Sequence, residues 1–156
     1  MVVEPGFESE HLTVGSAGAL LVASYRGGTK ADLERLDAFQ AALVAKHGRI
    51  ASMSLMDNVN SMVRMDEETR QFSAVLAQKY AKTNIGGAIV VRSKGLGAVL
   101  ARTSLSAVFL VTQNGVEMKV FKAVDEALTW LRSLPAPNPL QGSSVTAADI
   151  EAFVKR

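Results

Sequence analysis

Chemistry in a protein needs side chains that donate, accept, ligate or attack, placed so that they converge. This sequence offers few such sets. It contains no cysteine, which removes disulfides, thiolate metal sites and a cysteine nucleophile. Its two histidines, His11 and His47, lie far apart and are not spaced as ligands on one helical face. A Ser-His-acid triad usually shows a Gly-x-Ser-x-Gly elbow, and the sequence has none. Asp66, Glu67 and Glu68 form an acidic run. Consecutive helix positions point in different directions, so the run suits the positive end of a helix dipole better than a carboxylate pair. The residue types predict no catalytic residue, no metal site and no cofactor.

Two segments hold more. Ser93-Lys94-Gly95-Leu96-Gly97 follows the apolar run Ala88-Ile89-Val90-Val91, and Arg92 and Lys94 add positive charge beside it. A glycine turn at a helix start exposes free N–H groups that favour anions. This makes Arg92, Lys94, Gly95 and Gly97 a candidate anion site, although the Walker and dinucleotide patterns are absent. The second segment is the polar loop Asp57-Asn58-Val59-Asn60-Ser61, flanked by Met53, Met56, Met62 and Met65. Methionine packs adaptably and is common on binding surfaces as well as in cores. Asp57, Asn58, Ser61 and Met62 are therefore the candidate partner-binding residues.

The elements that position these segments follow from periodicity. Residues 11–14 and 19–25 read as a hairpin joined by Ser16-Ala17-Gly18. Thr29 and Asp32 signal a helix start, Leu33, Leu36, Phe39, Leu43 and Val44 give its apolar face, and Gly48 ends it. Residues 49–56 read as a buried strand. A second helix starts near Asp66, with Phe72, Val75, Leu76 and Tyr80 as its stripe. Ala88-Ile89-Val90-Val91 has the continuous apolar character of a strand covered on both faces. A third helix is predicted over 96–111, apolar on more than one face, and Asn114-Gly115 marks a turn. An alternating strand at 116–121 and a fourth helix carrying Ala127, Trp130, Leu131 and Leu134 complete the pattern. Alternating helices and strands imply an α/β fold with a mixed, largely parallel sheet of about five strands and four helices. The expected domain spans residues 1–134. Residues 135–156 are read as a Pro-rich connector and a short helix near Thr146-Ala147-Ala148-Asp149 that docks on the same domain.

The chain has 156 residues, 48% hydrophobic and 21% charged, with a formal charge of +2. That composition fits one globular domain and argues against disorder. The basic residues are scattered, without the patch that a nucleic-acid binder concentrates, so no nucleic-acid partner is expected. No apolar stretch reaches the roughly 20 residues of a membrane span, and the first residues lack the pattern of a signal peptide. The expectation is a cytoplasmic protein without membrane insertion.

The element order over about residues 10–134, together with Phe121-Lys122-Ala123-Val124-Asp125-Glu126-Ala127-Leu128-Thr129-Trp130-Leu131, resembles the STAS-like superfamily, the fold of anti-sigma-factor antagonists. The closing segment marks a fold, not a reaction: a strand ends, acids sit at the helix start, and a tryptophan anchors the helix on the sheet. Two positions depart from the pattern. Ala123 stands where relatives often carry a capping Ser or Asp, so the cap is expected from elsewhere, with Asp125 as the candidate. The loop at Asp57 lacks the Ser-Gly pair of phosphorylatable antagonists; Ser61 is a nearby hydroxyl and not an aligned one, so the resemblance brings no phosphorylation switch with it. What the resemblance implies is a non-enzymatic protein–protein interaction or regulatory module, acting on another protein. The alternatives are a small-ligand or lipid-binding carrier, suggested by the apolar segment 96–111, and a homo-oligomeric structural unit such as a homodimer.

Overall fold

A computed structural model describes residues 1–57, 65–92 and 116–156. The predicted helix over 96–111, and with it Lys94, Gly95 and Gly97, lies outside the described residues, as do Asn58, Ser61 and Met62. The described elements are strands β1 (Glu4–Glu8), β2 (Leu12–Ala17), β3 (Leu20–Tyr25), β4 (Ile50–Met56), β5 (Asn84–Val91) and β6 (Met118–Phe121). The helices are α1 (Lys30–His47), α2 (Glu67–Lys79), α3 (Val124–Ser133) and α4 (Ala147–Val154).

The six strands form one sheet in sequential order. The first three are antiparallel neighbours, and β3 to β6 run parallel. This is the mixed, largely parallel sheet that the alternating pattern implies. The added edge strand β1 was hidden because Pro5 and Gly6 are poor strand residues. An edge position tolerates them, since a missing N–H there breaks no interior ladder. The pairing with β2 shifts register between Pro5 and Phe7.

Strand side chains alternate between faces, and the core divides accordingly. Leu20 and Val22 of β3, with Ala51, Met53 and Leu55 of β4, pack under α3 and α4. Leu21 and Ala23, with Leu12, Val14 and Ile50, pack under α1 and α2. Met56, Ile89 and Val91 form a third, smaller cluster. In α2 the expected stripe is narrower than its spacing suggested. Leu76 and Tyr80 are buried with α1 and the sheet, but Val75 is 56% exposed.

Local signals set the helix ends. Thr29 caps α1 in a reciprocal box with Asp32, and Thr146 does the same for α4 with Asp149, satisfying N–H groups that the first turn leaves without partners. Asp66 caps α2 by accepting from the Thr69 N–H at 2.7 Å. Gly48 closes α1 with φ 76°, a conformation that costs glycine little. Ala123 precedes α3 with no side-chain cap bond. The expected cap from Asp125 is not made: that residue is the second of the helix, not the N-cap whose side chain accepts from the first-turn N–H groups, and no side-chain cap bond forms. α4 lies close on the sheet. Its Phe153 is 3% exposed, and a Cβ on Gly15 would come within 2.7 Å of that ring.

Candidate functional site

In a parallel sheet the loops that follow the strands gather at the carboxyl-terminal edge, where open α/β proteins place their sites. Here the strand ends are flush. Tyr25, Met56 and Val91 lie side by side in register. The next residue on each strand is charged, giving a row of Arg26, Asp57 and Arg92. Asp57 and Arg92 fall in two separate candidate sites by sequence, and strand register brings them together.

Arg92 is the centre of the row. Its Nε donates to Asp57 Oδ1 at 2.7 Å, and its Nη1 donates to Glu151 Oε2 at 2.6 Å. Its side chain is only 18% exposed, against 31% for Glu151 and 73% for Asp57. Parity explains the geometry. Asp57 follows Leu55, and Arg92 follows Val90, on the face that α3 and α4 cover. Glu151 descends from the middle of α4 onto that corner. Charge-assisted bonds of this length are the strong kind. The guanidinium is thus held by two carboxylates.

The flanking groups are likewise engaged. Arg26 donates to the carbonyls of Ser9 and Glu10 and to the Thr13 hydroxyl, tying the end of β3 to the start of β2. Lys30 of α1 reaches Glu68 of α2 at 3.3 Å. Met65 stands against Gly28, where a Cβ would meet its Cε at 3.1 Å. Ser9, His11 and Asp32 meet here too, and their chemistry is that of a turn. Ser9 Oγ accepts from the N–H groups of His11 and Leu12, and its hydroxyl bonds to Asp32. Burial raises the Asp32 carboxyl, but the bonds from Ser9 and Thr29 and the charge of His11 outweigh it and hold the group below its usual range. The Ser9 hydroxyl is thus committed to two backbone N–H groups and a carboxylate. Among the described residues, no cluster of three or more His, Cys, Asp or Glu side chains could hold a metal ion.

Glu151 and Arg26 were not among the sequence candidates. Glu151 stands 59 positions from Arg92 on a helix that looked merely like a docking element. Arg26 was one basic residue among many, and only strand register distinguishes it.

No protein-family model matches the chain, and no curated protein matches it. Among solved structures it is similar to a crystal structure of an uncharacterized protein of the DUF3478 family from Shewanella loihica PV-4, described as having a SpoIIAA-like fold. The two share 18% sequence identity and superpose with a TM-score of 0.54, covering 83% of this chain and 93% of that one. At that identity the likeness carries the architecture alone. No helix among the described residues is long and apolar enough to cross a membrane. The chain folds as a SpoIIAA-like, or STAS-like, mixed α/β domain.

Proposed function

We propose that this protein is a non-enzymatic interaction or regulatory module that binds another protein through the edge formed by Arg26, Asp57 and Arg92. One observation carries this reading: Asp57 stands 73% exposed on a strand end while its neighbour Arg92, locked by Glu151, is largely buried. The result is a projecting charge on a rigid base. Such preorganisation suits recognition, because a fixed group loses little freedom on binding. The fold supports the same reading, since open α/β sheets place their sites at this end. Asn58, Ser61 and Met62 continue the chain directly from Asp57 and belong to the proposed surface by sequence.

The test is affinity purification from the native host with three baits: wild type, D57R, and a triple substitution of Asp57, Asn58 and Ser61. A protein recovered by wild type and lost with both variants, at unchanged thermal stability, is the expected result. If both variants recover the same partners as wild type, the assignment of this edge fails.

A further inference from the structure

We infer that the outer face of α2 is a self-association surface, on which a second copy of this chain lays its own α2 antiparallel across a twofold axis. This inference is independent of the partner surface proposed above. It starts from how little of α2 the fold uses. Of its 13 residues, Thr69 and Leu76 are buried, and Phe72 is half-buried. Tyr80, at the carboxyl end, is buried on the same side. The opposite side carries Gln71, Ala74, Val75 and Gln78, all exposed. These fall at i, i+3, i+4 and i+7, one stripe of a helix. Apart from Met1 and Val2, Val75 is the one large apolar side chain left exposed among the described residues, at 56%.

A single exposed valine is common on protein surfaces. The order of the residues around it points to the occupant. Read from either end, the stripe runs glutamine, two apolar residues, glutamine. In an isologous contact, residue i of one copy meets residue j of the other, and j meets i. An antiparallel pairing centred between Ala74 and Val75 sets Ala74 against the second copy's Val75, and Gln71 against its Gln78. The small Ala74 leaves room for the valine. A primary amide both donates and accepts, so glutamine suits glutamine. The charges obey the same symmetry. Glu67 stands four residues before Gln71 and Lys82 four after Gln78, and both are exposed. Antiparallel pairing brings each Glu67 beside the other copy's Lys82, whereas parallel pairing would oppose like charges. The contacts of Glu67 are to Arg70 at 3.5 Å and Gln71 at 3.4 Å, both exposed and on its own helix, and a dimer can exchange them. One short helix pair buries less than the roughly 1,000 Å² of a stable interface. The dimer is therefore expected to be weak, with a dissociation constant on the order of 100 µM.

The test is sedimentation equilibrium of the full chain over a concentration series that brackets this value, at low ionic strength. Wild type is expected to pass from monomer to dimer. V75E sets two like charges beside the axis and should weaken the dimer at least tenfold, with an unchanged thermal melt because the position is exposed. E67K and K82E should each weaken the dimer. E67K/K82E, which restores opposite charges across the contact, should recover it. The sequence has no cysteine, so A74C and S73C each introduce a single thiol. On oxidation A74C, on the stripe, is expected to cross-link two chains, and S73C, off it, is not. A monomer throughout the series would overturn the inference, as would a dimer that V75E leaves intact. A double charge variant no stronger than the single ones, or equal cross-linking by A74C and S73C, would overturn the antiparallel register.

Discussion

At the scale of the residue, two polar networks hold this fold in place, and both join positions distant in sequence. Arg92 is one centre. Its guanidinium is mostly enclosed and bonded to Asp57 and Glu151, so R92A leaves Glu151, itself mostly covered, without its cation. Hydrogen bonds to charged groups contribute about 1.5–3 kcal/mol, and the expected loss in a urea titration is of that order. D57N, at a position 73% exposed, should stay within about 1 kcal/mol of wild type. A reversed ranking would show that Asp57, not Arg92, organises the corner. The second centre is Asp37 on α1, which accepts from Lys79 Nζ at 2.8 Å and from the Tyr80 hydroxyl at 2.5 Å. The bonds from Lys79 and Tyr80 hold its carboxyl below the usual range. Burial and the neighbouring Asp37 push the Tyr80 phenol up. A carboxyl with a depressed folded pKa contributes stability that is complete above its unfolded value of about 3.9 and is lost as pH falls through the folded value. D37N should therefore be less stable than wild type at pH 7, and the difference should shrink below about pH 4. A gap between the two unfolding curves that stays constant from pH 7 to pH 2.5 would refute this account of α1–α2 docking.

At the scale of the element, the helix starts rank the chain's local signals. Of the four described helices, three carry a side-chain cap, at Thr29, Asp66 and Thr146, and α3 does not. Ala123 already has the extended backbone that a cap requires, φ −142° and ψ 148°. A123D should therefore stabilise the protein by about 1 kcal/mol, whereas T29A should cost about the same. Thermal melts of the two variants shifting in opposite directions would establish the point; a destabilised A123D would show that another group already serves the first turn of α3. These caps were legible in the sequence because a cap is a local pattern of three or four residues. So were β3, β4 and β5, whose apolar runs reflect cover on both faces. β1 was not legible, because an edge strand with Pro5 and Gly6 takes its conformation from the partner it pairs with. Val75 matched the helical period yet faces solvent, since periodicity gives direction around a helix and not how wide a face its neighbours cover. For the candidate site, Asp57 and Arg92 could be named from type and position, but their pairing depends on strand register. Glu151 depends further on where α4 comes to rest, and nothing near Glu151 in the sequence encodes that.

At the scale of the whole molecule, the segment after α3 decides whether the sheet is covered. Among the described elements, α3 and α4 cover one face of the sheet, and without residues 135–156 only α3 of these two remains. Leu140, Val145 and Ile150 are at most 1% exposed, and Phe153 is 3% exposed. All four belong to the same core cluster as Leu20, Val22 and Met53 of the central strands. The connector is fixed by more than apolar contact. Arg132 of α3 donates to the carbonyls of Ser143 and Val145, and Asn138 bonds back to the carbonyls of Leu131 and Leu134. An eight-residue helix is marginal alone, so α4 and the sheet face beneath it depend on one another. Truncating a buried Phe to Ala costs about 3–5 kcal/mol, a large share of the roughly 5–15 kcal/mol that holds a typical domain folded. F153A should accordingly unfold at much lower urea while retaining one cooperative transition. A chain ending at Leu134 should lose that transition altogether, binding hydrophobic dye and losing the near-ultraviolet signal of Trp130, which packs on Phe121 at 5.5 Å between ring centroids. It should also lose the partner binding proposed for the Asp57 edge, because Glu151 leaves with α4 and Arg92 keeps only one of its two carboxylates. Cooperative unfolding of the shortened chain near the wild-type midpoint would show that the sheet is stable without this cover, and that Glu151 is a peripheral contact.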